Sequence, residues 1–587
     1  MLVLVLILVV SDFLVILIVL DLVFADYFQF HRIYGDDLEV RTALRAGDDR
    51  AFIDLVFVDI KVRLAFRTVH HDFLHVQVTL LYLVSSRGKG QVANQENSRF
   101  LSASRPDKLS VPLRMALTAA LALFLCSALC LTQESLAQER LAPGNTAEAA
   151  PALASNPHAD PRIAEVIRQV SPDRIRETIE KLVSFNNRST ISAQDEDAIK
   201  AGRGIGAARE WIKSEFDRYS KDCGGCLEVK IDTFTEQPAD RIPKPTAITN
   251  IYAVLKGSDP KQADRIVLVT GHYDSRNSDT LNGTDPAPGA NDDGSGTAVS
   301  LECSRVLSQA VKKTKFPATI IFLTVAGEEQ GLNGSRHFAQ MAKQQGWKIE
   351  AVLNNDIVGG NLGPGQDSGR VRVFSEGVPV IASDAELKRI RMLGGESDSS
   401  SRELARYIAD IGRSYDAGVK PLLIFRLDRF LRGGDHSSFN QQGFAAVRFT
   451  EFREDFNHQH QTPRTENGVE YGDLLKFVDF DYVAHVARLN AATLAALATA
   501  PAAPSNVKIV TKGLDNDSTL HWEPSVGAAD YEVIWRSTNA PDWEYVQPVG
   551  NAMRATLHVS KDNVIFAVRA VDAAGHRSLP VVPEPER

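Results

Sequence analysis

The sequence predicts an α/β protein built around a largely parallel sheet with helices on both faces, followed by a small all-β sandwich. One observation predicts the first part: short, continuously apolar runs alternate with segments of helical periodicity. Strands of this kind are typical of parallel sheets that are covered on both faces. The second observation is that short strands of alternating polarity follow one another near the end of the chain. That pattern favours a sandwich.

Length and charge limit the function classes. The chain has 587 residues, which indicates more than one domain. Its hydrophobic fraction of 44% is enough for a large core, and its formal net charge of −9 gives no indication of a nucleic-acid partner.

The first 114 residues do not resemble an ordinary domain. Residues 1–24 are apolar enough to suggest a membrane span, although Asp12 and Asp21 interrupt them, and charged groups in a lipid-facing helix are costly. We interpret residues 1–114 as a doubtful extension, a possible artefact of start-site assignment. A membrane anchor at 1–24 is the less favoured alternative.

A signal peptide is predicted in the middle of the chain, at 115–137. Arg114 precedes Met115, an apolar run follows, and the small residues Ser135 and Ala137 flank a cleavage site. Translation from Met115 would then give a secreted or periplasmic protein. Residues 138–165, rich in Ala, Pro and Asn, are predicted to be a linker.

The main domain is predicted over residues 166–500. Helical periodicity marks 207–220, 296–313 and 473–498, and buried strands are expected within 265–275, 318–331, 350–360 and 445–451. In sheets of this class, ligands bind beyond the carboxyl ends of the strands. The functional site is therefore expected where these strands end.

Residues 503–587 are predicted to form a β-sandwich. Trp522, Tyr531 and Trp535, together with the final "AVRAVDAAGHRS", resemble a fibronectin type III domain. Such modules usually bind other molecules or separate domains, so this part is a candidate for contact with polymers or cell surfaces.

Side chains that bind metals collect at the predicted strand ends. They are His272, Asp274, Asp292, Glu328, Glu329, Asp356, His458 and His460. So many carboxylates and imidazoles cannot share one crevice without cations, and histidine with carboxylate suits zinc.

The order of the motifs resembles the co-catalytic zinc aminopeptidases, the family of the bacterial leucyl aminopeptidase and aminopeptidase Y. The motifs are His-x-Asp at 272–274, Gly-Ala-Asn-Asp-Asp-Gly-Ser-Gly at 289–296, Gly-Glu-Glu-Gln-Gly-Leu at 327–332, Asn-Asp at 355–356, and a late histidine. The resemblance covers about 166–500. It implies an α/β/α sandwich around a mixed sheet of about eight strands.

The resemblance also implies roles and two zinc ions per chain. Asp292 would bridge both ions, His272 and Asp356 would complete one site, and Glu329 and His460 would complete the other. Asp274 would orient a ligand, and Glu328 would act as general base on a water held between the metals. The implied reaction is hydrolysis of the N-terminal peptide bond of peptides.

The late motif departs from the family pattern. Where the family has an aspartate, this sequence has Arg464, and two histidines, His458 and His460, compete for the ligand position. The spacing to Thr465 favours His460. In "GGDHSSF", we interpret Asp435 and His436 as pocket-wall residues and not as metal ligands.

Three other functions remain open. A glutaminyl cyclase shares the fold but uses one zinc, and a glutamate-releasing carboxypeptidase would need a basic pocket, for which Arg426, Arg429 and Arg432 are candidates. A receptor-like relative without metals is the non-enzymatic alternative.

The cysteines point to structure and not to catalysis. Cys223 and Cys226 are expected to form a local disulfide, because no second Cys-x-x-Cys lies nearby to complete a zinc ribbon. Cys303 is expected to be buried in a helix.

Overall fold

A computed structural model describes residues 2–10, 13–22, 53–63, 75–85, 152–153 and 159–586. The chain divides into two compact units, Met1–Pro143 and Gly144–Arg587.

The first unit contains one four-stranded antiparallel sheet of order β2-β1-β4-β3. Its strands are β1 (Leu2–Val10), β2 (Phe13–Leu22), β3 (Ile53–Arg63) and β4 (His75–Ser85). The apolar segment 1–24 therefore contains two strands. Across the described part of the chain, no helix combines the length and apolar character that crossing a membrane requires. The predicted signal peptide at 115–137 lies outside the described residues.

An eight-stranded mixed sheet forms the centre of the second unit. Its strands are β6 (Leu227–Glu236), β7 (Thr246–Leu255), β8 (Arg265–His272), β9 (Thr319–Val325), β10 (Lys348–Asn355), β11 (Arg370–Ser375), β12 (Lys420–Ile424) and β13 (Ala446–Glu451). The strand order is β12-β11-β13-β10-β8-β9-β7-β6. The four central strands, β13, β10, β8 and β9, run parallel, which confirms the predicted sheet.

Ten helices are described in this unit. They are α1 (Pro161–Ile167), α2 (Pro172–Ser184), α3 (Glu196–Lys200), α4 (Gly204–Asp222), α5 (Gly294–Ala310), α6 (Asn333–Gln344), α7 (Asp384–Leu393), α8 (Ser400–Ser414), α9 (Asp435–Asn440) and α10 (Phe480–Thr499). A hairpin of β14 (Arg464–Glu466) and β15 (Val469–Tyr471) precedes α10.

The central strands are buried on both faces, as their sequences predict. In β8, Val267 and Val269 belong to the larger apolar cluster, which includes α2, α4, α5 and α10. Ile266 and Leu268 point the other way, into a cluster with α6 and α9. Alternate residues of one strand thus serve two cores, which explains why the strand is continuously apolar.

Glycines allow α5 to begin close against the sheet. A Cβ on Gly296 would lie 2.1 Å from the main-chain oxygen of Asn355, and one on Gly271 would lie 2.4 Å from the carbonyl carbon of Gly296. A larger residue at either position would push α5 away from the ends of β8 and β10.

Residues 505–586 form two sheets, as expected for a sandwich, and the short strand β5 from residues 152–153 adds a fourth strand to one of them. One has the order β20-β17-β16-β22 and the other β21-β18-β19-β5. The strands are β5 (Ala152–Leu153), β16 (Ser505–Val510), β17 (Ser518–Glu523), β18 (Asp530–Ser537), β19 (Tyr545–Gly550), β20 (Arg554–Leu557), β21 (Val564–Val571) and β22 (Glu584–Glu586). Trp522, Tyr531 and Trp535 pack in its core.

The sandwich is joined to α8 through polar and charged contacts. The indole Nε1 of Trp543 donates to Glu403 at 2.9 Å. Arg406 donates to the main-chain oxygen of Pro541 at 2.7 Å, and Arg536 pairs with Asp398. The sandwich and the mixed sheet accordingly belong to one compact unit.

Several boundaries differ from the sequence prediction. Helix α1 begins at Pro161 and buries Ile163, so the last residues of the predicted 138–165 linker are folded. Helix α10 begins at Phe480, seven residues after the predicted start at 473. The disulfide between Cys223 and Cys226 and the burial of Cys303 are confirmed.

Candidate metal centre

Three neighbouring strands bring the predicted residues to one edge of the sheet. His272 ends β8, Glu328 and Glu329 lie in the turn after β9, and Asp356 directly follows β10. Strands β10, β8 and β9 are adjacent and parallel, so their carboxyl ends meet. The crevice expected from the sequence is present here.

The loop before α5 carries Asp292 to the same edge. The main-chain N–H groups of Asn291 and Asp292 donate to the two carboxylate oxygens of Asp473, at 2.8 and 2.7 Å. The Asp292–Asp293 peptide bond is cis. The Asp293 carboxylate accepts from the N–H groups of Gly296 and His272, both at 2.9 Å. Asp293 therefore caps α5 and holds the end of β8.

One group of possible metal ligands consists of His272, Glu328 and Asp356. One ligand atom from each lies within 4.8 Å of the others. Nε2 of His272 is 3.9 Å from Oδ1 of Asp356 and 3.2 Å from Oδ1 of Asp292.

A second group consists of Asp292, Glu329 and His460, with ligand atoms again within 4.8 Å of one another. Nε2 of His460 lies 2.8 Å from Oδ2 of Asp292 and 3.1 Å from Oε1 of Glu329. Asp292 thus presents one carboxylate oxygen to His272 and the other to His460. Its side chain stands between the two groups.

The structure places His460, and not His458, in this centre. The ring of His458 stacks on Phe477 with centroids 3.6 Å apart, and its Nδ1 lies 3.4 Å from Asp455. Arg464 lies in the exposed β14–β15 hairpin and pairs with Glu466.

Asp274 forms hydrogen bonds that hold the candidate metal ligands in position. Its carboxylate accepts from the N–H groups of Glu328 and Glu329, at 3.4 and 3.2 Å, and from the hydroxyl of Thr190 at 3.0 Å. Nδ1 of His272 lies 3.1 Å from the main-chain oxygen of Asp274. These contacts fix both the ring of His272 and the turn that carries the two glutamates.

The charges of the centre fit bound cations. Burial would lower the pKa of His460, but Glu329 and Asp292 outweigh it and raise that pKa to about 10. His272 is likewise raised well above its usual pKa, because Asp293, Asp274, Asp292 and Asp356 outweigh burial. The neighbouring carboxylates thus favour a positive charge in this centre. Without metal a proton on each imidazole provides it, and a bound metal ion would provide it in place of the proton.

Each ligand group contains one buried atom that makes no hydrogen bond within residues 159–586. These atoms are Nε2 of His272 in the first group and Oε1 of Glu329 in the second. A buried polar atom without a partner is costly unless something binds it. Imidazole nitrogen and carboxylate oxygen together suit zinc.

Burial raises the pKa of Glu328 well above its usual value, and Asp356, Glu329 and Asp435 add to the effect against His272. This carboxyl therefore binds a proton more readily than an exposed glutamate does.

Sequence reasoning missed two supporting residues. Arg448, fully buried on β13, lies with Nη2 2.8 Å from Oδ1 of Asp356. Asp473 anchors the Asp292 loop, as described above. Arg448 lies within the strand predicted at 445–451, and Asp473 begins the helix predicted at 473–498. Neither residue belongs to a motif that would indicate a role at a metal centre.

The pocket-wall prediction for Asp435 and His436 is wrong. Both are fully buried, and neither is among the residues that line the cavity at the centre. Nε2 of His436 lies 2.9 Å from the main-chain oxygen of Leu427. Both residues belong to the packed N-terminal turn of α9.

A cavity of about 410 Å³ opens over both groups. It is lined by Asp292, Glu328, Glu329, Asp356 and His460 and by four arginines: Arg241, Arg276, Arg429 and Arg432. Arg426, which the sequence also nominated for a basic pocket, is not in this lining.

Comparisons with known proteins agree with this chemistry. Residues 250–480 match the model of peptidase family M28. A protein of Pyrenophora tritici-repentis described as "Probable zinc metalloprotease" is 45% identical over 73% of this chain and 87% of its own length. One of Pyricularia oryzae with the same description is 44% identical over 73% and 85%.

Among solved structures, the LapA aminopeptidase of Legionella pneumophila is 20% identical, with a TM-score of 0.41 over 62% of this chain and 79% of that chain. The sequence relatives, in contrast, span most of both chains at well above 30% identity. Together with the matched family model, they show a zinc metallopeptidase, and the chain belongs to peptidase family M28.

Proposed function

We propose that the protein is a di-zinc aminopeptidase that hydrolyses the N-terminal peptide bond of peptides. The observation that carries this proposal is the position of Asp292, whose two carboxylate oxygens face His272 and His460 separately. A carboxylate in that position can bridge two ions. A centre built for one zinc has no need of the second group.

The residues divide between two ions. His272 and Asp356 would hold one, Glu329 and His460 the other, and Asp292 both. Two zinc ions bound there would activate a water molecule and polarise the scissile carbonyl. Asp274 would keep His272 and the glutamate turn in position.

Glu328 is the proposed general base. Its carboxylate belongs to the first group and faces the cavity, so it can take a proton from the attacking water. It would then deliver that proton to the leaving amine.

Export and domain organisation are part of the same proposal. We infer a signal peptide at 115–137, translation from Met115, a peptidase domain up to residue 500 and a fibronectin-like domain over 503–587. N-terminal sequencing of the exported protein tests the first two inferences. A mature end near Gln138 is expected, and an end upstream of Met115 would contradict them.

Hydrolysis of aminoacyl-p-nitroanilides tests the activity. We expect release that stops on chelation and returns with zinc, and a decrease of about 10²–10⁴-fold in Glu328→Gln, which keeps the size of the side chain but cannot take a proton. Glu329→Gln, which alters a proposed ligand, is expected to lose zinc as well. If p-nitroaniline is not released but N-terminal glutamine peptides are cyclised, the centre is that of a glutaminyl cyclase.

A further inference from the structure

The four arginines of the cavity are not explained by peptide-bond hydrolysis. A water, a metal pair and a general base require no guanidinium groups, yet Arg241 and Arg276 lie on the Glu329 side, and Arg429 and Arg432 lie on the loop before α9.

The arginines on the Glu329 side are only weakly paired. Nε of Arg276 is 3.8 Å from Oε2 of Glu329 and finds no hydrogen-bond acceptor within residues 159–586. Arg241 donates to the main-chain oxygen of Glu329 at 2.9 Å. The Glu329 carboxylate itself faces His460, so it cannot neutralise both arginines.

On the side of the cavity formed by the loop before α9, arginines outnumber the carboxylates that pair with them. Arg429, Arg432 and Arg372 all contact Glu454, at 3.0, 3.2 and 2.9 Å. Arg429 also contacts Asp428, but Asp428 is shared with the buried Arg448. This side therefore carries excess positive charge near the centre.

Bound zinc would change the balance between the negative and positive side chains of the cavity. With two zinc ions present, the three cavity carboxylates that would hold them, Asp292, Glu329 and Asp356, would be neutralised by metal, and Glu328 would be the one other carboxylate among the lining residues. The arginines would then dominate the potential of the cavity, and a concave site lined by one sign of charge attracts the opposite sign. Guanidinium groups bind carboxylates through paired hydrogen bonds.

We propose that these four arginines form a carboxylate-binding subsite, so that the preferred substrates carry a carboxylate beside the scissile bond. Two groups of a peptide offer this chemistry: the acidic side chain of a flanking residue and the free C-terminal carboxylate of a short peptide. The inference rests on the proposed function of the same cavity.

Matched substrate pairs test the subsite. Glu-p-nitroanilide against Gln-p-nitroanilide, and Ala-Glu-amide against Ala-Gln-amide, vary an acidic side chain on either side of the bond. Ala-Ala against Ala-Ala-amide varies the terminal carboxylate. We expect at least one charged member to have a kcat/KM about tenfold or more above its neutral partner, mainly through KM. The pair that responds identifies the source of the carboxylate.

Arginine variants connect the preference to the cavity. Arg432→Gln changes an arginine that pairs with Glu454 and not with a proposed zinc ligand, so it is expected to reduce the charged-to-neutral ratio several-fold while leaving the neutral substrates nearly unchanged. Arg276→Gln and Arg241→Gln are expected to reduce the same ratio, and because both arginines contact Glu329 their effect is judged by the ratio and not by the rate on neutral substrates. Arg426→Gln is the matched control, because Arg426 lies exposed on the same loop but outside the cavity. Equal rates within all three pairs, or a ratio that the cavity variants leave unaltered, would overturn the proposal.

Calorimetric binding separates this inference from the proposed function. The Glu328→Gln protein is titrated with the same charged and neutral dipeptides, without turnover. Tighter binding of the charged peptides that weakens in Arg276→Gln supports the subsite even if nothing is hydrolysed. Equal binding of both members refutes it, even for an active peptidase.

Discussion

Nε2 of His460 lies 2.8 Å from Oδ2 of Asp292. The oxygen on the other side of the same carboxylate is 3.2 Å from Nε2 of His272. Asp292 therefore lies between two histidines from different parts of the chain, one at the end of β8 and one in the loop before the β14–β15 hairpin.

This relationship distinguishes the two late histidines. His460→Ala is expected to remove about one zinc per chain and to lower hydrolysis at least about 100-fold, because a ligand and its charge are lost. His458→Ala is the control, since His458 stacks on Phe477 outside the ligand groups. Mass spectrometry measures the zinc content of both variants. Loss of zinc in His458→Ala but not in His460→Ala would contradict the assignment.

Asp473 is predicted to matter without touching a metal. Asp473→Ala leaves the N–H groups of Asn291 and Asp292 without their acceptors, so the free energy of unfolding should fall by about 2–4 kcal/mol. Zinc affinity should fall about 10–100-fold, as for other residues that hold ligands in place.

Asp479→Ala provides the control for Asp473. Asp479 caps α10 by accepting from the N–H group of Tyr482 at 3.1 Å, so its loss should cost about 1 kcal/mol of stability. Zinc affinity should not change. Equal zinc affinity in Asp473→Ala and the wild type would show that the loop needs no anchor.

The contact between the sandwich and α8 is predicted to stabilise the peptidase. Trp543→Ala leaves the buried Glu403 without the indole donor, and its pKa of about 7, raised chiefly by burial, already reflects poor solvation. We expect unfolding to become easier by about 2 kcal/mol, measured by denaturant titration. Leu514→Ala is the control, because Leu514 is fully exposed on the sandwich. Equal stability of the two variants would contradict a structural role for the contact.

Asp160 predicts a pH-dependent contribution to stability. Burial would raise its pKa, but hydrogen bonds from Arg162 and His576 outweigh it and lower the pKa from 3.8 to about 2. A depressed carboxyl pKa stabilises the fold above the unfolded value, and that stability is lost as the pH falls through the folded value.

Asp160→Asn isolates this charge, because asparagine can still cap α1. Above about pH 4 the variant should be less stable by about 1 kcal/mol, since the Arg162 side chain is half exposed and water screens the pair. The difference should shrink as the pH falls from 3.8 to about 2. A difference that does not vary with pH would refute the role of the charge.

Much of the centre could be predicted from local sequence. His272 and Asp356 come directly at the ends of apolar strands, and Asp292 lies in a small-residue loop before a helix. Parallel strands bring such positions to one edge whatever the details of the loops.

Residues that depend on strand order could not be predicted in this way. Arg448 reaches Asp356 because β13 lies beside β10, with Asn354 opposite Arg448. The connection between these two strands is about ninety residues long, so the local sequence does not indicate that they pair. The four cavity arginines come from three separate loops, so only the folded chain brings them together.

The number of zinc ions per chain tests the central claim most directly. We expect two in the dialysed wild-type protein and at most one in Asp292→Ala, because the proposed bridge contributes to both sites. One zinc in the active wild-type protein, or two retained in Asp292→Ala, would contradict a co-catalytic centre bridged by Asp292.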